Sequence, residues 1–310
     1  MKRNGISTTQ LARICGVSQG TVDRALNGRK GISQKTKEKI LTVAQEYGYR
    51  PNIHARSIAG GKSMLIGVVV FDLKNQYFSD ILTAIEKECT AKGYSTIAMF
   101  TNKDERTEIA CIDNLYHMSV DGIVLCPINK GEEYENYLSS LNMPIVTIGN
   151  KLEKIPYVGI DNCLSMRETV EYVISNGYDK LIYVKPHLTE NNTFAQTERL
   201  NTFCHMCEKN NVEFAVTELS QAEKEIDTNR KNAFICPTDI YAIKLLSIAQ
   251  RYNAGIIGYD NIRLIDELNL TLDSVSYDID QTARILSDYI IENKNVSVLV
   301  KHTLIKRGSI

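Results

Sequence analysis

The sequence predicts an all-α three-helix head followed by an α/β core of two doubly wound parallel-sheet subdomains. Three observations carry this expectation. The first 50 residues show short, capped, amphipathic helical patterns and no run that reads as a strand. From Met64 onward, apolar runs of strand length alternate with amphipathic helical stretches, the pattern of parallel sheets with helices on both faces. The charge also divides the chain. Residues 1–62 hold 12 Lys and Arg against 3 Asp and Glu, a net of +9, and the remainder nets −10, so the overall −1 hides a basic head on an acidic body. Such a head suits a polyanion; the body does not.

Ser7 caps a first helix that runs to Cys15, and forms a capping box with Gln10. Gly16-Val17 is a tight turn into a second helix. Ser18 caps that one, because its hydroxyl can accept from the free N–H groups of the first turn. Val22, Ala25 and Leu26 make the apolar stripe. The other face carries Gln19, Thr21, Arg24 and Asn27, side chains of the kind that read base edges and hold phosphates. Helix, glycine-containing turn, helix is the helix-turn-helix pattern. A third helix starts at its cap Ser33 and runs to Tyr47, with Ile40, Val43, Ala44 and Tyr47 expected inside and Gly48 stopping it in the left-handed conformation. Lys35, Lys37 and Lys39 near its start could face phosphate.

Residues 51–62 read as a hinge linker. Pro51 and Asn52 suit a helix start, Ile53 to Ala59 allow about two turns, and Gly60-Gly61 break them; so short a helix is marginal alone and is expected to order only when docked.

The core, residues 63–310, is expected to contain strands at Leu65–Phe71, Ser95–Phe100, Gly122–Cys126, Pro144–Ile148, Leu181–Val184, Ala233–Cys236 and Gly255–Gly258. Helices are expected at Phe78–Lys92, Thr107–Met118, Cys163–Asn176, Thr197–Asn210 and Asp239–Tyr252. So many units exceed one comfortable sheet, and two halves with a cleft between them follow. The expected division is about 63–157 plus 277–300 for the first half and about 158–276 plus 301–310 for the second.

Several classes of function are excluded. No apolar run approaches the roughly 20 residues that span a membrane. The opening Met-Lys-Arg-Asn-Gly has no apolar segment behind its charges, so no secretory signal is read and a cytoplasmic location is expected. The eight cysteines follow no disulfide framework. Cys204 and Cys207 form a C-x-x-C inside a helical pattern with no second pair, which reads as packing rather than as a zinc or redox site. No dinucleotide, phosphate-loop, metalloprotease or nucleophile-elbow motif is present, and His187 and His205 have no catalytic partners in view. Neither enzymatic activity nor a cofactor is expected.

The residues match a family. Gln10-Leu11-Ala12-Arg13, Gly16-Val17-Ser18, Thr21-Val22, Arg24-Ala25-Leu26-Asn27-Gly28, Gly48-Tyr49-Arg50-Pro51-Asn52 and Ala55-Arg56-Ser57 run through head and linker. Asp121-Gly122-Ile123, Asp161-Asn162, Arg199 with Phe203, Gly258-Tyr259-Asp260-Asn261 and Arg307-Gly308-Ser309 continue through the core. Over essentially its whole length the chain resembles the lactose and galactose repressor family of bacterial regulators, whose core looks like periplasmic sugar-binding proteins.

The resemblance implies a homodimer whose two heads enter successive major grooves of double-stranded operator DNA. Gln19 and Gly20 match the family's main base-reading positions. Thr21, Arg24 and Asn27 match its backbone and flanking contacts, and Ser18 brings a helix N-terminus to a phosphate. Ser7, Asn52, Ala55 and Arg56 are added as DNA contacts. Ile58 stands in for the family's wedging leucine, which opens a base step in the minor groove. Asp23 departs from the usual serine, and an acid beside DNA needs a cytosine amino group or a neighbour such as Arg24.

For the core, the resemblance implies a small, sugar-like effector at the carboxyl ends of the strands. Asp72, Asn75, Tyr77 and Phe78 follow the first strand, with an aromatic face suited to a sugar ring. Arg199 matches a ligand-gripping arginine, Asp260 the acid that accepts sugar hydroxyls, and Tyr277 a polar ligand contact. Thr238 stands where Asn is common, with Asp239 read as a helix cap; Gly149 and Leu125 replace polar groups of some relatives. The effector is expected to alter operator affinity, as in a repressor. The alternative is a regulator of the same fold controlled mainly by a protein partner.

Overall fold

In a computed structural model the chain divides into two compact units, residues 1–63 and 64–310. The structure describes residues 6–26, 28–49, 61–186, 194–294 and 298–310. The expected hinge helix lies outside these residues, as do Asn27, Asn52, Ala55, Arg56, Ile58 and His187.

The first unit holds three helices, α1 Thr8–Cys15, α2 Gln19–Leu26 and α3 Gln34–Glu46. The capping box is present: Gln10 N–H donates to Ser7 Oγ at 3.2 Å and Ser7 N–H to Gln10 Oε1 at 2.8 Å. Gly16 closes α1 at φ +68, a conformation an L side chain resists. Leu11, Cys15, Val22, Ala25 and Ile40 are buried at the centre. Tyr47 departs from the expected stripe and is 51% exposed. It is the C-cap of α3, and Gly48 at φ +60 turns the chain just beyond it. Tyr49 packs back in its place, with its hydroxyl 2.9 Å from that of Thr8. Leu26 and Val43 are only partly buried against the same core.

The second unit is two lobes, each built on a six-stranded sheet. In the first lobe β1 Leu65–Val70, α4 Gln76–Ala91, β2 Ser95–Phe100, α5 Glu105–His117, β3 Ile123–Leu125, α6 Glu132–Ser140, β4 Ile145–Ile148 and β5 Tyr157–Gly159 follow in turn. The second lobe contains α7 Asn162–Ser175, β6 Lys180–Lys185, α8 Phe194–Lys209, β7 Glu213–Glu218, a 3-10 turn Leu219–Glu225, β8 Asn232–Ile235, α9 Asp239–Arg251, β9 Gly255–Tyr259, α10 Arg263–Glu267 and β10 Asp273–Tyr277. Helix α11 Ile279–Glu292 and β11 Val298–Leu299 return to the first lobe, and β12 His302–Ile305 joins the second. The strand orders are β11-β5-β4-β3-β1-β2 and β12-β10-β9-β8-β6-β7. Among the described residues all pairings are parallel except β10 with β12, so the two parallel-sheet subdomains expected are present, the second with one antiparallel edge strand.

Both faces of each sheet are covered. Ile66, Val68 and Val70 pack toward α4 and α11, whereas Val69, Ile123 and Leu125 pack toward α5 and α6. Leu181, Tyr183 and Ile257 face α7 and α8, and Ile182, Phe234 and Ile256 face α9. Strands with two covered faces read as continuous apolar runs, which is why β1, β3, β4 and β8 stand out in the sequence. Among the described residues no helix is long and apolar enough to cross a membrane.

Candidate functional site

Two places in the chain gather the candidate functional side chains. In the head, Ser18 Oγ accepts from Thr21 N–H at 3.2 Å and lies 2.9 Å from Thr21 Oγ, so the expected cap at α2 is present. Ser18, Gln19, Gly20 and Arg24 are exposed together on one side of the helix, opposite buried Val22 and Ala25. Gln19 Nε2 donates to Thr9 Oγ1 at 2.6 Å, which ties the start of α2 to α1 and fixes how the glutamine is presented. A Cβ built on Gly20 meets only Ser18 Oγ, at 3.9 Å, so neither space nor backbone conformation demands glycine there. Asp23 is paired with Arg29 at 3.1 Å rather than with Arg24, which leaves Arg24 outside that ion pair. Lys39, exposed near the start of α3, donates from its Nζ to the carbonyl of Cys15 at 3.1 Å and closes the end of α1. Ser7 is exposed, with its hydroxyl engaged in the capping box.

In the core, one cavity of about 580 Å³ lies against both lobes. Asp72, Asn75, Phe78, Arg199, Thr238, Asp260 and Tyr277 all line it, together with Tyr77. The first lobe supplies Asp72 and Asn75 from the turn between β1 and α4. Asn75 caps α4, its Oδ1 accepting from Tyr77 N–H at 3.2 Å, while its Nδ2 donates to Asp260 Oδ2 at 2.7 Å. Phe78 meets Phe71 and Tyr77 edge to face, and Tyr77 meets Tyr277 the same way at 5.2 Å. These rings form an apolar wall of the sort that stacks on a ring-shaped ligand.

The second lobe supplies the buried charges of the floor. Asp260 follows β9 at φ +99, a strained backbone for a residue with a side chain. It is buried, and Tyr277 hydroxyl donates to its Oδ1. Burial pushes the Asp260 carboxyl above its ordinary pKa, against the opposing pull of the Tyr277 and Asn75 bonds and of the Arg199 charge. Burial likewise holds the Tyr77 and Tyr277 hydroxyls protonated. Arg199 is buried on α8 and stacks over the Tyr259 ring at 4.0 Å. Its Nε donates to Asn162 Oδ1 at 3.0 Å and a terminal nitrogen to the Pro237 carbonyl at 3.4 Å. Burial works against its charge, but Tyr259, Tyr277 and Asp260 more than offset that. The set can donate to and accept from several hydroxyls at once, in a space shielded from water.

Several expectations need correction here. Asp239 is not a helix cap. It is fully buried and turned toward the sheet, where it accepts from Ile262 N–H at 2.9 Å and from Ser274 Oγ at 2.6 Å. Gly258 makes room for it, since a Cβ there sits 2.2 Å from Asp239 Oδ1. Thr238 occupies the cap position of α9, with no side-chain cap bond. Leu125 is packed in the first lobe's core, and the cavity is lined instead by its neighbour Cys126. Gly149 does line the cavity, at φ +77 and with Cys126 Sγ only 3.1 Å from a built Cβ. Cys207 is buried with its thiol pushed up to about 12 by that burial, and His205 is exposed.

Sequence reasoning missed Lys74, Lys103 and Lys244, which also line the cavity. The first two follow β1 and β2 at their carboxyl ends, so the position rule for open sheets pointed to them. Lys244 lies inside a helix, where nothing in the sequence sets it apart.

Both units are similar to known proteins. Residues 63–233 match the family of periplasmic binding proteins and sugar-binding domains of the LacI family. Residues 9–52 match the bacterial regulatory proteins of the lacI family. The chain is 27% identical over 333 residues to catabolite control protein A of Staphylococcus epidermidis, covering 98% of this chain and 99% of that protein. Its fold is similar to that of the lac repressor dimer bound to operator and the anti-inducer ONPF, with a TM-score of 0.83, 19% identity, and 97% and 98% of the two chains covered. It is also similar to the complex of the transcriptional regulator CelR with cellobiose, with a TM-score of 0.65, 19% identity, and 98% and 99% covered.

Proposed function

The chain belongs to the LacI family, with its DNA-binding head and its periplasmic-binding-protein-like sugar-binding core, and on that premise we propose that it is a cytoplasmic, dimeric repressor released from or recruited to its operator by a sugar-like molecule. It is a DNA-binding transcriptional regulator rather than an enzyme. Helix α2 reads the major groove through Gln19 and Arg24, and Ser18 sets a helix N-terminus against a phosphate. Gly20 leaves a gap in that face, so base reading rests on its two long neighbours. The core holds the effector between the Tyr77 and Phe78 wall and the Asp260, Asn75, Tyr277 and Arg199 set.

The observation that carries this reading is the joining of Asp260 to both lobes' donors inside one cavity. A ligand that replaces or adds to those bonds changes how the lobes hold each other. A protein partner has no need of such a buried polar floor, which favours a small molecule. Coupling of roughly 1–3 kcal/mol between cavity and head alters operator affinity about 5–150-fold. Fluorescence anisotropy with duplexes from the promoter regions of its own genome, with and without a panel of sugars, tests this. The expected result is a salt-sensitive, sequence-selective complex whose affinity changes with one class of sugar. Binding indifferent to every sugar, or no preference among duplexes, overturns it.

A further inference from the structure

The described lining of the cavity carries more positive charge than a neutral sugar calls for. Among the described residues that line it, Lys74, Lys103, Arg199 and Lys244 are cationic, and only Asp72 and Asp260 are anionic. Each carboxylate accepts hydrogen bonds from neutral donors. Asp260 takes the Tyr277 hydroxyl and the Asn75 amide, and Asp72 Oδ1 takes the Lys74 N–H at 2.8 Å. The cations come from separate elements: Lys74 from the turn after β1, Lys103 from the turn after β2 at φ +62, Arg199 from α8 and Lys244 from α9. Two of them therefore belong to each lobe. Lys74 and Lys244 are exposed, which places them at the mouth, whereas Arg199 lies on the buried floor. Helices α4 and α9 also start at the cavity, with Asn75 and Thr238 on its lining, and their N-termini add positive partial charge.

Like charges on facing walls repel each other, and a space partly shielded from water weakens that repulsion less than bulk solvent does. A neutral ligand leaves the repulsion in place. An anion between the walls reverses it and draws the lobes together. Building on the sugar reading above, we infer that the effector is a sugar bearing an acid group, phosphate or carboxylate. Lys74 and Lys244 hold that group at the mouth while Asp260, Asn75 and Arg199 hold the hydroxyls on the floor. Lys244 lies 5.7 Å from the centre of the Tyr241 ring, a loose hold that an anion readily outcompetes. A phosphate, at a charge of about −1.5 to −2 near neutral pH, matches two lysines better than a single carboxylate does.

Titration calorimetry on the full chain tests this with glucose, ribose and fructose, their 6-, 5- and 6-phosphates, glucuronate and inorganic phosphate. An acidic sugar is expected to bind at least about tenfold more tightly than its neutral parent, and to weaken as salt rises. In the double variant Lys74→Met with Lys244→Met, whose sites are exposed and whose folding is checked by thermal denaturation, that preference is expected to fall toward parity. A phosphate preferred over glucuronate assigns the acid group as phosphate, and the reverse assigns it as carboxylate. Neutral sugars binding as well as their acidic derivatives, with no salt dependence, overturns the inference and leaves the sugar reading standing. Binding of none of these compounds overturns both.

Discussion

Glu108 in the first lobe and Asp273 in the second are matching devices. Each is fully buried, and each is saturated with donors. Glu108 accepts from Ile128 N–H, Asn129 N–H, Asn129 Nδ2 and Tyr134 hydroxyl. Asp273 accepts from Arg307, Gly308 and Ser309 N–H and from Tyr172 hydroxyl. Both pin a loop to a lobe. The second lobe buries two more carboxylates, Asp239 and Asp260, with only two bonds apiece to neighbouring groups, and the first buries Glu135, which takes the Lys154 N–H and does not line the cavity. Two sheets of one strand order thus differ in where they leave hydrogen-bonding capacity over. At the cavity the surplus lies in the second lobe, on and behind the floor, while the first lobe presents rings and lysines. A saturated buried carboxylate holds structure, and an unsaturated one is available to a ligand or a proton.

The largest effect tests the saturated pair. Asp273→Ala and Glu108→Ala each strand several buried donors, at about 1–3 kcal/mol apiece, and both variants are expected to lose about 4 kcal/mol or more in urea denaturation. A mild loss at either position breaks the symmetry between the lobes. Next is Asp260→Gly. It relieves a backbone strain of about 1–3 kcal/mol, so thermal stability is expected to hold or rise. Sugar affinity measured by calorimetry is expected to fall about 100-fold, since binding loses its central acceptor. Stability and affinity falling together would place Asp260 with the structural carboxylates.

Asp239 gives a pH test. Burial raises its carboxyl to about 8, from an ordinary value of 3.8. The folded chain therefore keeps a proton that the unfolded chain releases, and this contribution to stability is lost as pH rises from about 4 to about 8. Asp239→Asn is expected to flatten the decline in melting temperature across that range. An unchanged slope assigns the dependence elsewhere. The smallest effect belongs to the first lobe's wall. Phe78→Leu keeps most of the volume, and is expected to weaken all sugars alike by a few-fold, about 1 kcal/mol, without reordering them. A change in preference among sugars would give the aromatic wall a share in selection that the polar floor is otherwise assigned.

How much of this was legible in the chain follows from the same contrast. Strands such as β1 and β8 are apolar because both faces are covered, and hydropathy finds them. Strand β10, Asp-Ser-Val-Ser-Tyr, is equally buried at its start, but its polar side chains are satisfied by partners far along the chain. No local pattern reveals that. Edge strand β7 hides for another reason, since it is half exposed and begins and ends in glutamate. The helix caps at Ser7, Ser18 and Ser33 were readable because a cap is decided within four residues. Asp239 was misread by the same rule, since its position beside a helix start says nothing about Ser274 and Ile262 across the lobe. The floor residues are legible through motif resemblance and Lys74 through its place at a strand's carboxyl end, whereas Lys244, inside a helix, carries no sequence signal.

The path of the chain between the lobes carries a consequence for biosynthesis. The polypeptide passes from one lobe to the other after β5, after β10, and again between β11 and β12. The first lobe lacks α11 and an edge strand until residues 279–299 are made, and the second lacks β12 and the donors to Asp273 until residues 302–309 follow. On the ribosome the contiguous head can fold as soon as it emerges. Both lobes must wait with open sheets until translation is nearly done, which makes nascent core segments natural clients for chaperones.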